Sequence, residues 1–181
     1  SGKKVLLMDF DLRRRTLSKK MGHRNDRRGI TSYLSGKIES IDDAISKTTI
    51  NENLDMMFAG PQPPNPAEML MSQRVDKLIA ELRNRYDYIL IDSVPAMAVA
   101  DAMIIDRFVD LTVYVIRQGN LDRRQLPDIE QLYQDKKFKN MSVLLNGMTH
   151  SKRSYGYGYG YGYGYNYSYY SDDNAPSWKR N

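Results

Sequence analysis

Four short apolar runs constrain this chain more than any other feature. Val5–Met8 ends at Asp9, Tyr88–Ile91 ends at Asp92, Leu111–Ile116 is a third, and Met141–Leu145 ends at Asn146. Runs this short, rich in β-branched and aliphatic residues, read as strands buried on both faces. Helical patterns lie between them. Asn65 is placed to cap a helix, Pro66 suits its first position, and Glu68 sits where a capping-box acid reaches back. Met71, Val75, Leu78, Ile79, Leu82 and Tyr86 then recur at helical spacing as one apolar stripe. A second helix is expected from Pro127 toward Lys136, with Ile129, Leu132 and Tyr133 inward, and Ser40 is placed to cap a short helix through Ile45. Strand and helix in alternation predict a three-layer α/β fold, a mainly parallel sheet flanked by helices. Ligands of such sheets bind at the carboxyl ends of the strands, where Asp9, Asp92 and Asn146 fall.

The chain of 181 residues is long enough for one domain with its own core. It has no cysteine, which excludes disulfides and thiolate metal sites and fits a reducing compartment. No run approaches the roughly 20 apolar residues that span a bilayer. The opening residues carry no signal-peptide pattern, so attachment to a membrane is expected to come from outside this sequence. The formal charge is +5. Asp172 and Asp173 balance Lys179 and Arg180, which leaves the excess in the body at Arg13–Arg15, Arg27-Arg28 and Arg123-Arg124. These runs read either as a solvated basic surface or as a site for anionic ligands. His23 and His150 stand apart and are expected at the surface.

After Arg153 the composition changes abruptly. Tyr155, Tyr157, Tyr159, Tyr161, Tyr163 and Tyr165 alternate strictly with glycine, and Tyr167, Tyr169 and Tyr170 follow. Alternate glycines make ordering costly, and no aliphatic residue is present to build a core. Residues 155–181 are therefore expected to form a flexible, disordered tail beside a folded body over residues 1–154.

Two acidic motifs carry the chemistry. Asp9 and Asp11 lie two residues apart at a strand end, beside Arg13, and such hard oxygen ligands suit a magnesium ion that carries nucleotide phosphates. An Asp-x-Asp at a strand end also serves as a cap or turn former. Ile89-Leu90-Ile91-Asp92 is an apolar strand closed by an acid, of the kind that holds magnesium in nucleotide-hydrolysing α/β proteins.

Together these motifs resemble a known family. Asp9-Phe10-Asp11-Leu12-Arg13 resembles the Walker A′ motif of bacterial tyrosine kinases, and Ile89-Leu90-Ile91-Asp92 resembles their Walker B strand. Ala59-Gly60-Pro61 through Pro63-Pro64-Asn65-Pro66-Ala67-Glu68-Met69-Leu70 is similar to a stretch distinctive of that family, and the tyrosine-rich terminus is its other hallmark. The resemblance implies an ATP- and Mg2+-dependent autokinase with a P-loop-type fold that phosphorylates its own tail tyrosines. It implies Asp9 as general base toward a phenol, Asp11 and Asp92 as partners in organising the metal, and Arg13 near phosphate or at a subunit contact. It also implies Asn146 as an adenine contact, although a turn-forming asparagine fits that position equally. Implied partners are further copies of the chain, with one subunit's tail presented to another, a membrane chain-length regulator or adaptor, and a tyrosine phosphatase. Nucleic acid is not among them. The implied setting is the cytoplasmic face of the inner membrane, in control of capsular or extracellular polysaccharide synthesis and export.

The sequence departs from the family at one point. No Gly-x-x-x-x-Gly-Lys-Ser/Thr phosphate loop occurs, and Ser1-Gly2-Lys3-Lys4 resembles only the turn before the Walker A′ strand. The polypeptide alone is therefore expected to bind ATP poorly and to be inactive. Two other readings are a partition-type ATPase, whose output is assembly, and a non-catalytic scaffold or phosphoacceptor module.

Overall fold

The computed structural model describes residues 2–23, 27–94 and 101–148. Strand β1 (Val5–Asp9) pairs in parallel with both β3 (Leu54–Met57) and β4 (Tyr88–Asp92), and a two-residue strand β2 (Ser46–Lys47) adds antiparallel to β3. The order is β2-β3-β1-β4. Strands β5 (Thr112–Arg117) and β6 (Met141–Asn146) form a separate parallel pair. The α/β class, the parallel pairing and the positions of all four expected strands are as the apolar runs predict, but the expected burial on both faces is not met: β4 and β5 alternate between exposed and half-buried residues, and β6 is exposed from residue 142 to 146.

The helices flank these strands: α1 (Thr16–Lys20), α2 (Ile30–Leu34), α3 (Pro66–Met71), α4 (Gln73–Arg83), α5 (Asp101–Asp106) and α6 (Leu126–Gln134). Leu6 and Met8 of β1, Phe10 and Leu12 beyond it, and Val75, Leu78, Ile79 and Leu82 of α4 form one buried cluster. The α4 stripe is the predicted one, since residues three and four apart share a helix face.

Several local expectations need correction. The helix after Asn65 is two helices, because Ser72 is extended (φ −66°, ψ 147°). The break leaves Met71 exposed instead of inward. Asn65 makes no capping bond. Its side-chain amide donates to Glu68 Oε2 at 3.0 Å, so the capping box is replaced by a side-chain pair. Tyr133 of α6 is also exposed, and the segment after Ser40 is only a 3-10 turn, Asp42–Ala44.

Strand β3 escaped the sequence reading because Asp55 interrupts its apolar run. The buried Asp55 carboxylate accepts from Lys47 Nζ and from the Tyr86 hydroxyl, each at 2.7 Å. Burial first, and then Asp55, push the Tyr86 phenol pKa well up. A charge inside a strand is tolerated when it is paired and hydrogen-bonded.

The sheet is interrupted among the described residues. β4 pairs only with β1, and β5 pairs only with β6. Alternate residues of both strands are bare: Tyr88 and Leu90 of β4 are 58% and 55% exposed, and Val113 and Val115 of β5 are 46% and 56% exposed. Their alternation is regular, so Ile89 and Ile91 of β4 face the core while Tyr88, Leu90 and Asp92 face outward.

Candidate active site

The parallel register places Asp9 directly beside Asp92 at the carboxyl edge of the sheet. The ladder continues past the strands, with Phe10 N–H donating to Asp92 O at 2.8 Å. Adjacent parallel strands that end together bring their terminal acids together.

Asp9 is fully enclosed, at 0% exposure. Its Oδ2 accepts from the Ser18 backbone N–H (2.8 Å) and the Ser18 hydroxyl (2.5 Å), and its Oδ1 accepts from Asp11 N–H at 3.2 Å. Ser18 Oγ in turn accepts from Ala59 N–H at 3.0 Å. A hydrogen-bonded line therefore runs from the acid through α1 to the segment after β3. Asp11, at 2% exposure, accepts from Arg14 N–H (2.9 Å) and from the Thr16 hydroxyl (3.3 Å), which closes the loop after β1.

Asp92 differs from both. Its carboxylate is exposed and accepts no hydrogen bond among the described residues. Burial of part of the group, then the charges of Asp9 and Asp11, raise its pKa, while Lys20 opposes them. Burial also raises the Asp9 pKa, against the bonds from Ser18 and with a push from Asp11. The three acids thus share one field, in which each of Asp9 and Asp92 feels the charge of Asp11. Among the described residues, no three acidic or histidine side chains form a ready cage for a metal ion.

These shifts have a testable consequence. A carboxyl titrates near 3.8 when unfolded and higher at Asp92 when folded. Between those values the folded state holds the extra proton, so stability falls as pH rises through that window. At neutral pH the repulsion is fully present. Asp92→Asn is therefore expected to raise the Tm by ~2 °C at pH 7, discounted for solvent screening, and to gain nothing below the ordinary carboxylate range. Melts across pH check this, and an equal gain at every pH would contradict it.

Other expected residues lie elsewhere. Arg13 does not open toward the carboxylates. Its Nε and Nη2 donate to Asp101 Oδ2 and Oδ1 at 2.7 and 3.2 Å. Asn146 ends β6 on the separate strand pair, and its Oδ1 accepts from Gly147 N–H at 2.7 Å. Tyr155, Tyr157, Tyr159, Tyr161, Tyr163, Tyr165, Tyr167, Tyr169 and Tyr170 lie outside the described residues, as does His150. His23 is not an isolated surface group; it stacks on Phe58 with ring centroids 3.7 Å apart.

Sequence reasoning missed Ser18, Asp101 and Gly29. Ser18 and Asp101 sit in no motif and gain their roles only through contacts. Gly29 (φ 141°) presses so closely on the segment after β3 that an added Cβ would lie 2.4 Å from Phe58 O and 2.7 Å from Gly60 N. Ile30 and Thr31 N–H donate to Phe58 and Ala59 O at 2.9 and 3.0 Å across this contact. The Ala59-Gly60-Pro61 stretch singled out in the sequence is thus the seat for the start of α2.

Comparison with known proteins turns this geometry into a family assignment. A family profile described as an AAA domain matches residues 1–134. The tyrosine-protein kinase YwqD of Bacillus subtilis is 38% identical over 156 residues, covering 86% of this chain and 65% of that protein. The crystal structure of the VpsO kinase domain superposes with a TM-score of 0.71 at 30% identity, covering 82% of this chain and 72% of that one. This chain belongs to the bacterial tyrosine-protein kinases. The kinase domain of the Escherichia coli tyrosine kinase ETK agrees, with a TM-score of 0.72 at 31% identity over 88% of this kinase-family chain and 61% of that domain. The chain therefore spans about two thirds of these relatives. No helix among its described residues is long and apolar enough to cross a membrane.

Proposed function

We propose that this chain is the Walker A′ and Walker B portion of a Mg2+- and ATP-dependent autokinase whose acceptors are its own tail tyrosines. The observation that carries the reading is the juxtaposition of Asp9 and Asp92 on neighbouring parallel strands, in a member of a kinase family. Phosphoryl transfer asks a protein mainly for charge neutralisation and alignment. Magnesium, when bound, would neutralise the phosphates and hold them in line. Asp92, with its free oxygens, is the carboxylate that would hold the ion directly or through water. Asp11 shapes the loop and adds to the field. Asp9 is assigned as proton acceptor for the phenol, which requires its Ser18 bonds to loosen as the tyrosine enters. A phenol titrates near 10, so a nearby carboxylate assists only as transfer proceeds. Glycine at alternate positions lets successive hydroxyls reach one site.

The sequence holds no phosphate loop, and the unpaired sides and exposed apolar residues of β4 and β5 support the reading that a further strand-loop-helix segment completes the active kinase. The same reading places the kinase in self-assemblies at the inner face of the membrane. There a chain-length regulator or adaptor and a tyrosine phosphatase would set its phosphorylation and, through it, polysaccharide export.

The test uses the chain joined to such a segment, with γ-labelled ATP and Mg2+. Label is expected on tyrosines within 155–170, and is lost when all nine become phenylalanine or when Asp92→Asn is introduced. Label released only as free phosphate would favour a partition-type ATPase, and no turnover would favour a scaffold.

A further inference from the structure

Arg13 and Asp101 are 88 residues apart in sequence yet meet in a two-point ion pair. Asp101 is 2% exposed and is the first residue of α5. Arg13 lies two residues past Asp11, on the loop that follows β1. The pair therefore ties the loop after β1 to the start of α5. A planar guanidinium held at both carboxylate oxygens is fixed in direction as well as position.

A mobile arginine at Arg13 would have an alternative partner at the acidic strand ends. Asp9, Asp11 and Asp92 lie together at the same edge, and the Asp92 carboxylate accepts no hydrogen bond among the described residues. After Asp101, the charge of Asp11 is among the influences favouring the charged guanidinium. An arginine released from Asp101 would compete with any cation for those carboxylates.

We propose that Asp101 is a positioning residue that holds the Arg13 guanidinium against α5, keeping it off the open Asp92 carboxylate and leaving that group to a divalent cation. The proposal rests on the metal-organising reading above and adds a residue to it. Arg13 becomes a restrained cation with a set direction in place of a direct phosphate ligand. Leaving Asp101 buried without Arg13 would strand a charge, so the two residues are expected to act as a unit.

The test is Mn2+ binding by the full chain, followed by electron paramagnetic resonance, with thermal unfolding as the folding control. Asp101→Ala is expected to weaken Mn2+ binding about tenfold, because the freed Arg13 competes. The double variant Arg13→Ala/Asp101→Ala is expected to return to within about twofold of the parent, a coupling that only a direct interaction produces. A double variant as weak as the single one would show a merely structural tie and overturn the proposal, as would an unchanged affinity in Asp101→Ala. If Asp101→Ala does not fold, Arg13→Lys takes its place. Lysine cannot make the two-point contact, so a several-fold loss supports the proposal and equal affinity overturns it. A parent chain without Mn2+ binding that depends on Asp92 would sink the metal reading itself, and this proposal with it.

Discussion

On its own, the 181-residue chain is expected to bind Mg-ATP with a Kd weaker than about 1 mM, and joining it to a strand, a phosphate loop and a helix is expected to tighten binding ~100- to 10,000-fold. The carboxylates explain why some affinity remains. Asp92 can attract a magnesium ion, but nothing in this sequence supplies the row of backbone amides that a glycine-rich loop offers to phosphate oxygens. Hydrogen bonds to charged groups contribute about 1.5–3 kcal/mol each, so two or three account for the expected range. Stability should rise together with affinity. Tyr88 and Leu90 of β4 and Val113 and Val115 of β5 are exposed apolar groups that packed helices would remove from water, while a strand could pair with the unpaired sides of β4 and β5. Titration calorimetry and thermal melts on the two chains check both effects. Tight Mg-ATP binding by the unextended chain would show that its own residues already form the phosphate site.

The second large effect is expected at Gly29. Gly29→Ala should destabilise the fold by ~3 kcal/mol, from backbone strain of about 1–3 kcal/mol together with a steric clash. The clash is with backbone, since Phe58 O would lie 2.4 Å and Gly60 N 2.7 Å from the new methyl carbon. Neither can yield without pulling the start of α2 off its seat. Gly22 provides the control. It also has a left-handed φ (86°), but an added Cβ there meets nothing within 4 Å. Gly22→Ala should therefore cost only about 1 kcal/mol, the conformational part alone. Chemical denaturation of both variants separates strain from collision, and equal losses would remove the close-approach argument. The damage at Gly29 should also reach the acids. The seat includes Ala59, whose N–H donates to Ser18, which holds Asp9. A change in the Asp9 titration is expected in Gly29→Ala and not in Gly22→Ala.

Much of this protein was legible before any coordinates. The four apolar runs gave the strands, and their polar closures gave the edge where Asp9 and Asp92 meet, because a parallel sheet lines up the ends of its strands. The α4 stripe followed from helical spacing alone. Periodicity failed where a charge or a contact overrode it. Strand β3 was hidden by Asp55, whose partners Lys47 and Tyr86 are distant enough in sequence to leave no local sign. The single helix expected after Asn65 divides at Ser72, and no proline or glycine there announced it.

The sequence by itself determined the fold class and the identity of the clustered acids, since both depend on short-range pattern and on the parallel order that this pattern enforces. Only the tertiary structure decided which acid stays open. Asp9 and Asp11 spend their oxygens on Ser18, Thr16 and backbone amides, Asp92 keeps its own, and Arg13 is turned away by Asp101. Those choices depend on which donors fold to within about 3 Å of each oxygen, a distance that spacing along a chain does not encode.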